Sequence, residues 1–123
     1  MVSIVIPNYN GREVLRRDLP SVLAAAERTP GAEVVVVDDA SRDDSLEILR
    51  EEFPAVRVVA LPRNVGFGRA CMAGVLAARG EIVVLLNSDV RVEPDFIAPL
   101  VRAMSEPDVF SVSAVDMNEF KNG

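Results

Sequence analysis

Histidine is absent from this 123-residue chain, and Cys71 is its single cysteine. Without histidine the commonest metal ligand and the usual neutral-pH general base are both missing, which excludes zinc sites and serine–histidine triads. A lone thiol has no partner for an internal disulfide, and Cys71 reads as a small buried hydrophobe on a helix. Basic residues are outnumbered, 13 against 19 acidic, for a formal net charge of −6. That balance disfavours a broad electrostatic footprint on nucleic acid or anionic lipid. An anion therefore has to be held locally, by a metal ion, backbone amides or a few arginines. The apolar runs Val34–Val37 and Ile82–Leu86 are far shorter than the roughly 20 residues that span a bilayer. No secretory signal precedes Val2. The default expectation is a cytoplasmic domain, with attachment to the inner face of a membrane left to a longer parent protein. Half of the residues are hydrophobic, enough for one core and too little for two catalytic domains.

What is present alternates. Val2–Ile6 is a β-branched run closed by the turn formers Pro7-Asn8-Tyr9-Asn10-Gly11, a buried first strand. Arg12–Arg28 places Leu15, Leu19, Val22, Leu23 and Ala26 at helical spacing, with Pro20 predicting a kink or restart near Leu19. Val34–Val37 is apolar on both faces, as a central parallel strand requires. Ser41 and Asp44 resemble a capping box for a helix carrying Leu46, Leu49 and Phe53. Val56–Leu61 predicts a third strand, and Gly66 and Gly68 open a helix that runs to a glycine stop at Gly80. Ile82–Leu86 reads as a fourth buried strand, Pro94 as the first turn of a helix bearing Phe96, Ile97, Leu100, Val101 and Met104, and Val109–Val115 as a fifth strand. Strands alternating with helices predict an α/β fold with a parallel sheet.

In such a sheet ligands bind beyond the carboxyl ends of the strands, where loops converge. Three polar clusters fall there: Pro7-Asn8-Tyr9-Asn10, Asp38-Asp39 and Asn87-Ser88-Asp89. Asp38 and Asp39 are adjacent, so strand alternation turns their side chains to opposite sides and they cannot address one ligand atom. The glycines of Arg63-Asn64-Val65-Gly66-Phe67-Gly68 permit close approach at a helix N-terminus that favours negative charge. Each feature also has a plainer reading. Tyr9 could pack at a strand end, the aspartates could cap a helix, the glycines could make a tight connection, and Asn87–Asp89 could be a polar turn without metal.

Four segments in this order, Val2–Asn10, Val37-Asp38-Asp39-Ala40-Ser41, Arg63–Gly68 and Leu85-Leu86-Asn87-Ser88-Asp89-Val90, resemble the donor-binding half of family 2 glycosyltransferases. The third and fourth are most similar to the rhamnosyltransferase-like branch, whose donors are often deoxythymidine diphosphate sugars. The resemblance implies a GT-A, Rossmann-like three-layer α/β/α fold with a mainly parallel central sheet. It implies transfer of a sugar, with inversion, from a dTDP- or UDP-linked donor to a hydroxyl of a glycan or lipid-linked acceptor in cell-surface polysaccharide synthesis. Pro7 and Tyr9 would flank the base, and aromatic–base stacking contributes about 1–3 kcal/mol. Asp39 would face the base or ribose, and Asp38 would fix the loop or reach the ribose. Asn10, Asn64, Gly66, Gly68, Asn87 and Ser88 would line the donor. Asp89 would hold Mg2+ or Mn2+, a hard cation that shares its oxygen ligands with water and phosphates. Asn87 stands where the family signature has its first aspartate and offers only a neutral carbonyl.

The resemblance places the catalytic base in a later segment, and neither Asp116 nor Glu119 stands in a matching context. The chain, 1–123, therefore reads as a single nucleotide-sugar-binding domain, the N-terminal part of a longer transferase, with weak or absent transfer on its own. A noncatalytic sugar-nucleotide-binding module is the alternative, encouraged by Asn87. A dinucleotide fingerprint is misplaced, because Gly66 and Gly68 do not follow the first strand. A receiver domain fails because Lys121 is the only lysine, and no P-loop sequence occurs.

Overall fold

The computed structural model describes residues 1–104. Strands β1 (Val2–Asn8), β2 (Glu33–Asp38), β3 (Arg57–Ala60) and β4 (Ile82–Leu85) alternate with helices α1 (Arg12–Glu27), α2 (Ser45–Glu52), α3 (Phe67–Ala77) and α4 (Ile97–Met104). The strands form one parallel sheet in the order β3-β2-β1-β4. The predicted fifth strand, with Asp116 and Glu119, lies outside the described residues.

The order locates the crevice. After β1 the chain steps outward through β2 and β3, then returns to place β4 on the other side of β1. Loops leaving β1 and β4 therefore part at their carboxyl ends, the switch point where open α/β sheets bind ligands.

Both faces of the central strands are buried because β1 and β2 are apolar at nearly every position. Ile4, Ile6, Val34 and Val36 cluster with Leu15, Leu19 and Val22 of α1, Leu49 of α2 and Ile97 of α4. Val5, Val35 and Val37 cluster with Ala70 of α3 on the opposite face. Helix α3 comes close to the sheet at Gly74, where a Cβ would fall 2.2 Å from Val5 Cγ1 and 2.8 Å from Val37 Cγ2.

Several predicted details differ. Helix α1 continues through Pro20 without a restart. Arg16 and Pro20 are both exposed, so water can take the Arg16 carbonyl that lacks an amide donor. Ser41 does not cap α2. The helix starts at Ser45, whose N–H donates to the Asp43 carboxylate at 2.9 Å, while Ser41 is drawn to Asp38. Helix α3 ends at Ala77 rather than at Gly80. Gly80 is confined by the sheet instead: a Cβ there would sit 2.7 Å from the Met1 carbonyl oxygen and from Ser3 Oγ. Strand β4 is not fully buried. It has a single described neighbour, β1, and Leu85 is exposed. Pro94 sits in a turn ahead of α4, which begins at Ile97.

Candidate functional site

The β1 and β2 ends are tied together first. Asn8 and Asp38 pair across the sheet, both buried, and Asn8 Nδ2 donates to Asp38 Oδ1 at 3.0 Å. The same carboxylate accepts from Ser41 Oγ at 2.6 Å and from the Ser41 N–H at 3.0 Å. Ser41 Oγ in turn accepts from the Asn10 N–H at 2.9 Å, and Asn10 Oδ1 accepts from the Arg42 N–H at 2.7 Å. Asn10 and Ala40 both have positive φ, 54° and 58°, the backbone needed to fold each loop back on the other. Asp38 is thus the lock of the two loops, at 0 % exposure, and takes no place in the cavity wall.

Asp39 does the corresponding work on the other face. The residue is 4 % exposed, and its carboxylate accepts from the Val65 N–H at 2.8 Å, the Gly66 N–H at 3.0 Å and Asn64 Nδ2 at 3.1 Å. Asn64 Nδ2 also donates to the Asp39 carbonyl oxygen at 3.1 Å. Gly66, at φ 95°, precedes α3, a conformation in which an L side chain is strained. The predicted opposition of the two aspartates is therefore observed: Asp38 faces α1 and fixes β1 to β2, whereas Asp39 fixes the loop before α3.

These loops and the turn after β4 enclose a cavity of about 770 Å³, within the range of small-molecule sites. Of the residues predicted for the site, Pro7, Tyr9, Asn10, Asp39, Asn64, Gly66, Asn87, Ser88 and Asp89 line it together. Gly68 does not, being exposed with open space around it, and neither do Arg63, Arg69 and Arg91. Gly11, Val14 and Ala70 also line the cavity, as do Asn8 and Phe67, which stood inside segments expected at the rim but were given no role of their own. Gly11 is fixed by contact, since a Cβ would lie 2.5 Å from Asn8 Oδ1.

Among the described residues no lysine or arginine lines the cavity, while Asp39 and Asp89 do. A phosphate-bearing ligand would add negative charge beside these two carboxylates, which a cation accompanying it would offset. The available donors are hard oxygens, Asp89 with Ser88 and Asn87 beside it, and among the described residues no three His, Cys, Asp or Glu side chains cluster to hold a metal unaided. That set fits Mg2+ or Mn2+, which complete their shells with water and substrate phosphates, and fits no softer metal. Arg17 of α1 feels the Asp89 charge. Its guanidinium is raised above its ordinary pKa chiefly by its hydrogen bonds to Asp18 and then by that carboxylate's charge, with Asp89 a smaller contribution.

Residues 3–122 match the family model described as glycosyl transferase family 2. The chain is 42 % identical over 110 residues to an undecaprenyl-phosphate 4-deoxy-4-formamido-L-arabinose transferase of Edwardsiella ictaluri, covering 85 % of this chain and 34 % of that protein. It is 42 % identical over 123 residues to the protein of the same name from Pseudomonas savastanoi pv. phaseolicola, covering 95 % and 36 %. Among solved structures, the mannosyltransferase PcManGT of Pyrobaculum calidifontis in complex with GDP-Man and Mn2+ superposes with a TM-score of 0.81 at 28 % identity, covering 98 % of this chain and 37 % of that one. TarS 1-349 of S. aureus in complex with UDP-GlcNAc gives 0.72 at 29 % identity, covering 84 % and 30 %. The chain thus spans about a third of the length of the curated relatives it matches. With its parallel α/β sheet of the GT-A kind and the cavity on which its loops converge, the chain belongs to glycosyltransferase family 2.

Proposed function

We propose that the cavity binds a nucleoside diphosphate sugar and that the chain is the donor-binding part of a longer transferase acting at a membrane lipid. The observation that carries this reading is the convergence of the β1, β2, β3–α3 and β4 loops on one cavity with Asp89 at its rim. Tyr9 and Pro7 take the base, Asp39 and Asn64 its polar edge or the ribose, and Asn87 and Ser88 the sugar side. Asp89 would hold Mg2+ or Mn2+, which would supply positive charge to offset that of the diphosphate leaving group. The chemistry breaks the bond from the anomeric carbon to the diphosphate oxygen, which keeps the electron pair. A new bond forms from that carbon to an acceptor oxygen on the opposite face, with inversion.

The names of the relatives support a polyprenyl phosphate acceptor rather than a hydroxyl. A phosphate monoester, with a second pKa near 6, is largely a dianion at neutral pH and is already a nucleophile. A hydroxyl acceptor would need a positioned carboxylate base, and none is assigned among the described residues. The donor remains a uridine or deoxythymidine diphosphate sugar. The segments Asn64–Gly68 and Leu86–Val90 resemble the rhamnosyltransferase-like branch, but the relatives are named for a 4-deoxy-4-formamido-L-arabinose, a different kind of sugar, so the family and not that branch is what the relatives support.

Isothermal titration of the chain with UDP, dTDP and GDP, with and without Mn2+, tests the reading. Binding is expected, strengthened by Mn2+, with the Mn2+ gain lost in Asp89→Asn. Failure of every nucleoside diphosphate to bind overturns the proposal. Tight binding without turnover in a full-length relative carrying the same asparagine at position 87 would favour a noncatalytic sugar-nucleotide module.

A further inference from the structure

Phe67 is 64 % exposed, although it is a large apolar side chain next to a cavity. The other described phenylalanines, Phe53 and Phe96, pack against the core. Among the described residues the one other exposed aromatic is Tyr9, at 48 %, and it lines the same cavity. The two aromatic residues come from the loop after β1 and the start of α3, which meet at this cavity. Val5 belongs to the core beneath α3, so strand alternation directs Pro7 toward that face, and Tyr9, just past the end of the strand, lines the same cavity as Pro7. Phe67 is the first residue of α3, which starts above the carboxyl ends of the strands. Its position is not left to a loose loop, because the three donors on the Asp39 carboxylate pin residues 64–66 immediately before it. Ala70, one turn further along α3, is fully buried and closes the floor. Two exposed aromatic side chains lining one cavity with the buried Ala70 and with Asn64 and Asp39 suit a flat heterocycle.

We infer that Phe67 is the second wall of a nucleobase slot whose first wall is Tyr9, so that the base is held between two rings. The inference rests on the nucleotide-binding reading above and adds a specific residue to it. An exposed ring gains little from packing within the protein, whereas covering it with a base removes apolar surface from water and adds face-to-face contact. Base–aromatic stacking tolerates any base, because every base has a π-face. Phe67 therefore contributes affinity, and base choice is left to the polar edge at Asp39 and Asn64.

The chain carries its own reporter. It has one tyrosine and no tryptophan, so tyrosine emission reports on Tyr9 alone. The experiment titrates wild type, Phe67→Ala, Phe67→Leu and Phe67→Trp with UDP and dTDP plus Mn2+, following heat and, except in the tryptophan variant, tyrosine emission. Inorganic pyrophosphate plus Mn2+ is the probe that lacks a base. In wild type the nucleotides should quench Tyr9. Phe67→Ala should weaken UDP and dTDP about fivefold to a hundredfold, Phe67→Leu should fall between, and Phe67→Trp should retain affinity. Pyrophosphate binding should be the same in all four. Unchanged nucleotide affinity in Phe67→Ala overturns the slot and leaves the nucleotide-binding reading standing. Equal weakening of pyrophosphate and UDP also overturns it, since the ring would then be acting on the fold and not on the base. If wild type binds none of the nucleotides, the functional reading falls and takes the slot with it.

Discussion

Asp39 shows how one carboxylate can both frame a cavity and line it. Its two oxygens accept from two backbone amides and one side-chain amide, so the loop that leads into α3 is held by charge-assisted bonds. Asp39→Asn would turn an amide NH2 toward at least one of those N–H groups and leave buried donors unmatched. The expected loss is about 1–3 kcal/mol of stability, measured by urea denaturation, together with weaker nucleotide binding. A variant with unchanged stability would refute the clamp. Part of this was legible from residue types: a polar pair after an apolar strand, alternating in direction, put the two side chains on opposite sides, but the clamp on the loop before α3 was not foreseen. Their partners were not legible, because Asn64 and Val65 lie 25 and 26 positions further along the chain and only the folded β3–α3 connection brings them back. Phe67 lay in a segment expected to line the site but was given no role of its own, for a related reason. A phenylalanine between two glycines at a helix start carries no periodic signal, and its exposure is a property of the packed structure.

At the scale of the element, α3 carries two glycines with opposite requirements. Gly68 lies in the first turn, with open space where a methyl group would stand and no positive φ. Gly68→Ala should stabilise the chain by up to about 1 kcal/mol through helix propensity and a less flexible unfolded state. Nucleotide affinity should be unchanged, since Gly68 lies outside the cavity wall. Gly74→Ala would drive a methyl group into Val5 and Val37, so overpacking should outweigh propensity and cost about 1–3 kcal/mol. Thermal melts of the two variants should move in opposite directions, and parallel shifts would contradict the packing described. The strands were readable because β-branched runs need only their own sequence. The ends of the elements were less so. Ser41 has the right type for a cap, but Asp38 and Asn10 compete for it, and Gly80 has the right type for a helix stop but is required by contact with Ser3 and Met1.

Across the whole molecule the sheet has two working ends. The carboxyl end holds the cavity, and the amino end holds a polar clamp centred on Glu33 at the start of β2. Glu33 accepts from Ser3 Oγ of β1 at 2.6 Å, from Arg57 of β3 at 2.8 Å and from the Arg79 N–H, just before β4, at 2.7 Å. Arg57 also donates to the Ala77 carbonyl at the end of α3. Burial alone would raise the Glu33 carboxyl, but the hydrogen bonds from Ser3, Arg79 and Arg57, with the guanidinium charge, outweigh it and hold the group below its ordinary 4.5. Asp43 is likewise held below its ordinary 3.8, with burial opposed by hydrogen bonds from Ser45 and the Arg12 N–H and by the Arg12 charge. For both groups the unfolded chain takes up the proton at higher pH than the folded one. Their stabilisation is therefore complete above the unfolded values and is lost as pH falls through the folded values. The melting temperature should hold steady from neutrality down to about pH 5 for these two groups and then fall with further acidification, Glu33 contributing first because its unfolded value is the higher. Glu33→Gln should melt lower at neutral pH and show a shallower acid slope, because the titrating group is gone while the packing around it remains. An acid slope as steep in Glu33→Gln as in wild type would remove Glu33 from the account and leave the amino-terminal clamp without a charge at its centre.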